Sequence, residues 1–119
     1  MENKEFAKNL EERTLLFAVR IIKLSTKLPN TTEGKVVRNQ LTKAGTSIGA
    51  NYREANRSRS KADFKSKIKI CESESSETTY WLKIIRFLKW LDEKETEWEQ
   101  KESEELLAIF TSISKKLST

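Results

Sequence analysis

Apolar side chains recur at helical spacing in four separate segments of the chain, and each segment predicts one helix. In the first segment the inward positions are separated alternately by four and three residues, which places one apolar stripe along a helix. The stripe consists of Leu10, Thr14, Phe17, Ile21, Leu24 and Leu28, and it is widened by Leu15, Ala18 and Ile22. Together the four segments predict helices over about residues 5–27, 33–55, 61–91 and 97–117.

The residues between the segments predict where each helix begins or ends. Pro29 ends the first helix, because proline disfavours a helical conformation in the residue before it. The expected N-caps of the later helices are Thr32, Ser60 with Asp63 three residues on, and Thr96 with Glu99. Because short connections join long neighbouring helices, we predict an all-α fold, an antiparallel up-down-up-down four-helix bundle that residues 1–119 form as a single domain.

Two glycines lie four residues apart in the middle of the second helix, at Gly45 and Gly49. A glycine inside a helix costs about 1 kcal/mol relative to alanine. Their presence on one face therefore predicts that another helix packs very close to it.

The second half of the third helix is apolar at almost every angle, interrupted only by Lys83, Arg86 and Lys89. A helix that is apolar all round is buried on more than one side. We therefore expect a subunit interface here. The alternative is that Trp81, Trp90 and Trp98 form a thick end of the core. The residues assigned to the oligomer interface are Tyr80, Trp81, Ile84, Phe87, Leu88 and Leu91.

The charge of the chain is concentrated in its middle. The net charge is +5 overall, but residues 35–71 carry 10 basic and 2 acidic side chains. Such a positive segment favours a polyanion such as nucleic acid. The alternative is that the acidic C-terminal third, with 11 acidic and 7 basic side chains over residues 72–119, neutralises it within the fold.

The basic side chains of this segment are the candidate nucleic-acid-binding residues. Lys61, Lys65 and Lys69 recur every four residues on one face of the third helix. Separated point charges contact phosphates and read little base sequence. The full set is Lys43, Arg53, Arg57, Arg59, Lys61, Lys65 and Lys69.

The composition argues against catalysis. There are no histidines, so histidine-based triads and imidazole metal sites are excluded. The single cysteine, Cys71, lies on an inward stripe, where a free thiol behaves as a small hydrophobe. We expect no catalytic residue, no metal site and no cofactor. The polar residues on or beside the inward stripes form either a layer that fixes helix register or a ligand pocket, and they are Ser47, Asn51, Ser75 and Thr78.

Two blocks of the sequence resemble a known bacterial family. The first block is RNQLTKAGTSIGANYREA at residues 38–55, and the second combines Asp63-Phe64, Lys67-Ile68 and the run ETTYWL at residues 77–82. Both are similar to the small four-helix-bundle proteins first noticed as reading frames inside ribosomal RNA intervening sequences. The accessory variability determinant of diversity-generating retroelements is a distant member. The resemblance covers about residues 5–117, and Glu72-Ser73 departs from the family pattern of an apolar and then a basic residue.

The resemblance implies a ring of subunits, characteristically a homopentamer. Its retroelement relative implies a basic ring that binds nucleic acid and a reverse transcriptase. We therefore expect a non-enzymatic, cytoplasmic bacterial scaffold or adaptor that binds RNA or DNA without sequence specificity and associates with no membrane. The alternative is a purely protein-binding homo-oligomeric adaptor with no nucleic-acid role.

Overall fold

The computed structural model of the protein describes residues 3–118, which form four helices. Helix α1 spans Lys4–Ser25, α2 spans Thr32–Ala55, α3 spans Lys61–Phe87 and α4 spans Glu93–Leu117. Each helix packs against the next, and α4 closes against α1 to form a bundle of 44 × 24 × 22 Å. The predicted all-α antiparallel four-helix bundle is confirmed. Within residues 3–118, no helix is both long enough and apolar enough to span a membrane.

The core of the bundle consists of the inward stripes that the spacing predicted. Phe17, Leu41, Ile68 and Phe110, one from each helix, are fully buried, and the ring of Tyr52 meets that of Phe110 edge to face at 5.5 Å. The widening of the α1 stripe was wrong at two positions. Leu15 is 58% exposed and Ile22 is 45% exposed. At 100° per residue, both lie too far around α1 from the centre of the stripe to reach the core.

Helices α1 and α2 approach each other closely along the glycines of α2, as predicted. A Cβ at Gly45 would lie 2.7 Å from Cγ2 of Ile21, and one at Gly49 would lie 2.9 Å from Oγ1 of Thr14. A third glycine, Gly34, was not singled out from the sequence. A Cβ there would overlap the backbone carbonyl oxygen of Pro29, so the turn between α1 and α2 also requires a glycine.

Arg38 ties this turn to the end of α1. Its Nε donates to the carbonyl of Ser25 at 3.2 Å and its Nη2 donates to the carbonyl of Leu28 at 3.0 Å. Carbonyls at the end of a helix lack intrahelical partners. The carbonyl of Ser25 also accepts from the backbone N–H of Leu28, and Arg38 adds a second donor there. Arg38 therefore stabilises the turn between α1 and α2.

The connection between α3 and α4 differs from the prediction. Helix α3 ends at Phe87, four residues before the predicted end. The backbone N–H of Trp90 donates to the carbonyl of Ile85 and that of Lys89 donates to Arg86, the paired bonds of a Schellman motif. Lys89 adopts a positive φ of 56°, which turns the chain back toward the bundle.

Helix α4 begins four residues before the predicted start. Its N-cap is Asp92, which forms a reciprocal capping box with Glu95. The predicted capping pair of Thr96 and Glu99 instead lies inside the helix, where both side chains are buried. The turn residue Leu91 packs into the core, so the bundle absorbs part of the apolar surplus assigned to α3.

The buried polar side chains bond mainly within their own helices. Ser75 donates to the carbonyl of Cys71 and Thr78 to that of Glu74, each four residues earlier. Thr79 and Ser103 make a side-chain hydrogen bond of 3.0 Å between α3 and α4. These small hydroxyl groups are satisfied where they are buried, whereas the buried hydroxyl of Ser114 has no hydrogen-bond partner among the described residues.

Candidate nucleic-acid interface

The antiparallel arrangement gathers basic residues at one end of the bundle. The start of α1, the turn between α2 and α3, and the end of α4 lie together there. Over residues 4–8, 53–69 and 115–118 the sequence carries 11 basic and 3 acidic side chains. We call this part of the molecule the basic end, and its charge produces a positive field favourable to polyanions.

Three acidic side chains of α4 pair with α1, and none of the ion pairs that α4 forms among the described residues involves the basic segment. Arg13 donates to Glu102 at 2.6 Å and to Glu105 at 2.8 Å, and the hydrogen bond with Glu102 is the main cause that raises the pKa of Arg13 above its ordinary value. Arg20 lies 3.1 Å from Glu99 and stacks over the ring of Trp98. The sequence left open the alternative that the acidic residues of α4 neutralise the basic segment. These carboxylates pair with arginines of α1 instead.

Two cations of the basic segment have acidic partners among the described residues. Arg53 lies 3.7 Å from Glu11 on α1, and Lys67 lies 2.8 Å from Glu54. Hydrogen bonding to Lys67 lowers the pKa of Glu54, and the same contact raises the pKa of Lys67. The positive charges of Arg53 and Lys67 are therefore partly balanced within the chain.

Five of the seven predicted nucleic-acid-binding residues lie in a continuous stretch of the fold. They occupy the exposed turn between α2 and α3 and then one face of α3. That face lies on the side of α4, because Glu72, three residues beyond Lys69, accepts a hydrogen bond of 3.0 Å from Thr111. We call this set the turn–α3 surface, and its members are Arg57, Arg59, Lys61, Lys65 and Lys69.

The structure separates Lys43 and Arg53 from the turn–α3 surface. Lys43 precedes Arg53 by ten residues, or about 15 Å along α2. Its neighbour is Glu74, whose pKa is raised by burial and by repulsion from Glu77, while attraction to Lys43 opposes that rise. Arg53 is held toward α1 by Glu11. These two residues are therefore poorer candidates than the other five.

Sequence reasoning missed two lysines of the basic end. Lys4 and Lys8 lie on the first turns of α1 and line a cavity together with Arg59 and Lys61. Their spacing of four residues, combined with the predicted topology, could have indicated them, because an antiparallel bundle places the start of α1 beside the turn between α2 and α3.

The residues assigned to the oligomer interface divide into three groups. Tyr80, Phe87 and Leu88 are exposed, and Phe87 retains 86% of its accessible surface. Trp81 and Ile84 are half-buried, whereas Leu91 lies in the core. A second apolar surface, which was not predicted, lies on the outer side of α1 and consists of Leu15, Leu16, Val19 and Ile22.

The described residues offer little for catalysis. Cys71 is buried, its thiol donates to the carbonyl of Ile48 at 3.5 Å, and burial raises its pKa to about 12. A thiol in that state is inert. Within residues 3–118 there is no group of three or more cysteine, aspartate or glutamate side chains able to hold a metal ion.

Two comparisons with known proteins found similar proteins. The family model described as 23S rRNA-intervening sequence protein matches residues 9–112. Among solved structures, the chain is similar to a protein with unknown function from the S23 ribosomal protein family of Bacteroides thetaiotaomicron VPI-5482. The two are 37% identical with a TM-score of 0.81, over 88% of this chain and 97% of that chain. The search of curated proteins found no match. By its sequence and its four-helix bundle, the chain belongs to the 23S rRNA-intervening sequence protein family.

Proposed function

We propose that this protein is a non-enzymatic cytoplasmic scaffold that binds the phosphate backbone of RNA or DNA through the turn–α3 surface and works as a homo-oligomer. The observation that carries the proposal is the pairing of the α4 carboxylates with Arg13 and Arg20 of α1. Because Glu99, Glu102 and Glu105 of α4 pair with α1, and no carboxylate of α4 forms an ion pair with the turn–α3 surface among the described residues, the cations of that surface remain available to an external anion.

The chemistry of the surface favours phosphate contact over base recognition. Its five members are arginines and lysines, which position a nucleic acid by neutralising phosphates. Proteins that bind single-stranded nucleic acid stack the bases on aromatic side chains. None of the five residues is aromatic. We therefore expect weak sequence preference and an affinity that falls steeply with salt.

An oligomer would strengthen this binding. Repetition of the basic end around a ring multiplies the positive field and lets one strand contact several copies. The family resemblance implies a pentamer, and the retroelement relative implies a reverse transcriptase as a protein partner. We include both in the proposal.

The test compares two triple variants that remove equal charge. Arg57→Gln, Lys65→Gln and Lys69→Gln alter the turn–α3 surface outside the cavity. Lys23→Gln, Lys35→Gln and Lys94→Gln remove three exposed lysines from the opposite end of the bundle. Fluorescence anisotropy with labelled RNA and DNA at low salt measures affinity.

We expect the first triple to weaken binding at least about tenfold, equivalent to 1.4 kcal/mol, and the second to change it little. The parent should lose affinity linearly in log–log form as salt rises. Equal losses in both triples would show that net charge alone is responsible. A parent that binds neither RNA nor DNA would contradict the proposal.

The alternative is an adaptor that binds only protein. The exposed apolar patch of Tyr80, Phe87 and Leu88 favours it, because exposed apolar patches mark protein interfaces. Failure of the parent to bind nucleic acid, together with retained self-association, would support this alternative.

A further inference from the structure

A cavity of about 620 Å³ opens at the basic end of the bundle. It lies between the first turns of α1, the last residues of α2 and the first turn of α3. Pockets for small organic ligands occupy about 300–1,000 Å³. The space is therefore much larger than one inorganic anion requires, since a water molecule occupies about 30 Å³.

Four cations line this cavity, namely Lys4, Lys8, Arg59 and Lys61. Within residues 3–118 none of them forms an ion pair. One carboxylate, that of Glu11, shares the lining. Glu11 is already engaged, because it lies 3.7 Å from Arg53 and accepts a hydrogen bond of 2.9 Å from Asn56. The cavity therefore has a positive charge that the described residues do not balance.

The remaining lining has two kinds of surface. Ala7, Ala55 and Phe64 supply an apolar floor, and Ala55 and Phe64 belong to the buried core. Asn3, Asn56 and Ser58 are polar members of the lining, and each already makes a hydrogen bond within the chain. An apolar floor with a cationic rim fits a ligand that joins a flat apolar ring to an anionic group.

We propose that this cavity binds one nucleotide, with its phosphate against the lysines and arginine and its base toward the apolar floor. The inference deepens the proposed function and rests on it. Arg59 and Lys61 belong both to the cavity and to the turn–α3 surface, so a strand lying along that surface places its terminal nucleotide at the cavity. The cavity thereby gives a preference for phosphorylated strand ends that the flat surface lacks.

Calorimetric titration of the full chain tests the pocket with small probes. Adenosine 5′-monophosphate, adenosine and inorganic phosphate are titrated separately at low salt. We expect the monophosphate to bind about tenfold or more tightly than either fragment. Lys8→Gln and Lys61→Gln should each weaken the monophosphate about tenfold, whereas Lys35→Gln, at the opposite end of the bundle, should leave its affinity unchanged.

Several results would overturn the inference. If inorganic phosphate binds as tightly as adenosine 5′-monophosphate, the cavity is a simple anion site. If adenosine binds as tightly as the monophosphate, the cations of the cavity do not contribute to binding. A loss in Lys35→Gln equal to that in Lys8→Gln would show diffuse charge attraction.

A short single strand, with or without a 5′-phosphate, separates this inference from the proposed function. Tighter binding of the phosphorylated strand, lost in Lys8→Gln, supports the pocket. Strand binding without any preference for the phosphate, and without monophosphate binding, leaves the proposed function intact and overturns the pocket. Monophosphate binding without strand binding overturns the proposed function and leaves a site for free nucleotides.

Discussion

Gly34, Gly45 and Gly49 are the residues at which one added methyl group would collide with α1 or with the turn that follows it. The mid-helix pair was recognisable from the sequence, because glycine in a helix has a cost that close packing explains. Gly34 was not recognisable in this way. Its contact is with the backbone of a turn, and no periodic pattern reports the position of a turn carbonyl.

Gly49→Leu should destabilise the protein by about 1–3 kcal/mol through overpacking, although leucine is the better helix former. The nearest atoms belong to Thr14, including its backbone carbon at 3.3 Å, so α1 itself must move. Chemical denaturation measures the free energy of unfolding. The matched control is Ala50→Leu, the exposed neighbouring position, which should change it by less than about 0.5 kcal/mol. Equal stability of the two variants would contradict the close approach of α1 and α2.

Cys71 should be unreactive toward thiol reagents in the folded protein and reactive after unfolding. Burial raises its pKa from 9.0 to about 12, so the unfolded chain loses this proton at lower pH than the folded chain. Ionisation of the unfolded thiol therefore reduces the free energy of unfolding between about pH 9 and 12.

The Cys71→Ala variant lacks that alkaline loss. We compare the free energies of unfolding of the parent and the variant. As the pH rises from about 9 to 12, the parent should lose stability relative to the variant, whatever their difference is near neutral pH. A difference that does not change with pH, or rapid labelling of the folded parent, would show that the thiol is accessible.

At the scale of elements, the boundary between α3 and α4 shows why apolar periodicity alone misplaces a helix end. The apolar run continues through Leu88, Trp90 and Leu91, but the helix stops at Phe87. The turn is held by backbone hydrogen bonds and by Leu91 in the core. A buried position favours an apolar residue in a turn as well as in a helix. Hydropathy therefore does not distinguish a buried turn residue from a buried helical one.

Lys89→Gly should stabilise the protein by up to about 1 kcal/mol, because Lys89 holds a positive φ that costs an L-residue energy and costs glycine none. Its φ is 56°. Lys83→Gly, an exposed position inside α3, is the matched control and should destabilise by about 1 kcal/mol. Thermal unfolding of both variants gives opposite shifts in Tm. A destabilised Lys89→Gly variant would mean that the lysine side chain has a role of its own.

At the scale of the whole molecule, the bundle leaves two apolar surfaces uncovered. One consists of Tyr80, Phe87 and Leu88 at the end of α3, and the other follows the outer side of α1 at Leu15, Val19 and Ile22. Exposed apolar patches of this kind mark interfaces. The basic end is formed by different residues, so assembly through either patch leaves those cations in place.

We predict that the protein is a homo-oligomer, the pentamer that the family resemblance implies, and that Tyr80→Asp with Phe87→Asp dissociates it. A charge placed in an apolar interface is desolvated without a partner, whereas on the free monomer it stays in water. Light scattering at tens of micromolar measures the mass, and circular dichroism checks that helicity is retained.

Leu15→Asp with Ile22→Asp tests the α1 surface in the same way. If only the variant with Leu15→Asp and Ile22→Asp dissociates, the subunit interface lies on α1 and not on α3. A parent with the monomer mass of 13.9 kDa would contradict the prediction of an oligomer.

The fold class, the four helices, most of the core and the basic character of the middle segment were predictable from the amino-acid sequence. Those properties follow from the local spacing of apolar residues and from composition. Tertiary structure decided which carboxylates neutralise which cations. The acids of α4 could have balanced the basic segment, but the bundle places Glu99, Glu102 and Glu105 beside Arg13 and Arg20 of α1. It also brought Lys4 and Lys8 to Arg59 and Lys61, more than fifty residues away along the chain. Electrostatic balance and cavities depend on distances through space, and only the packing of the helices sets those distances.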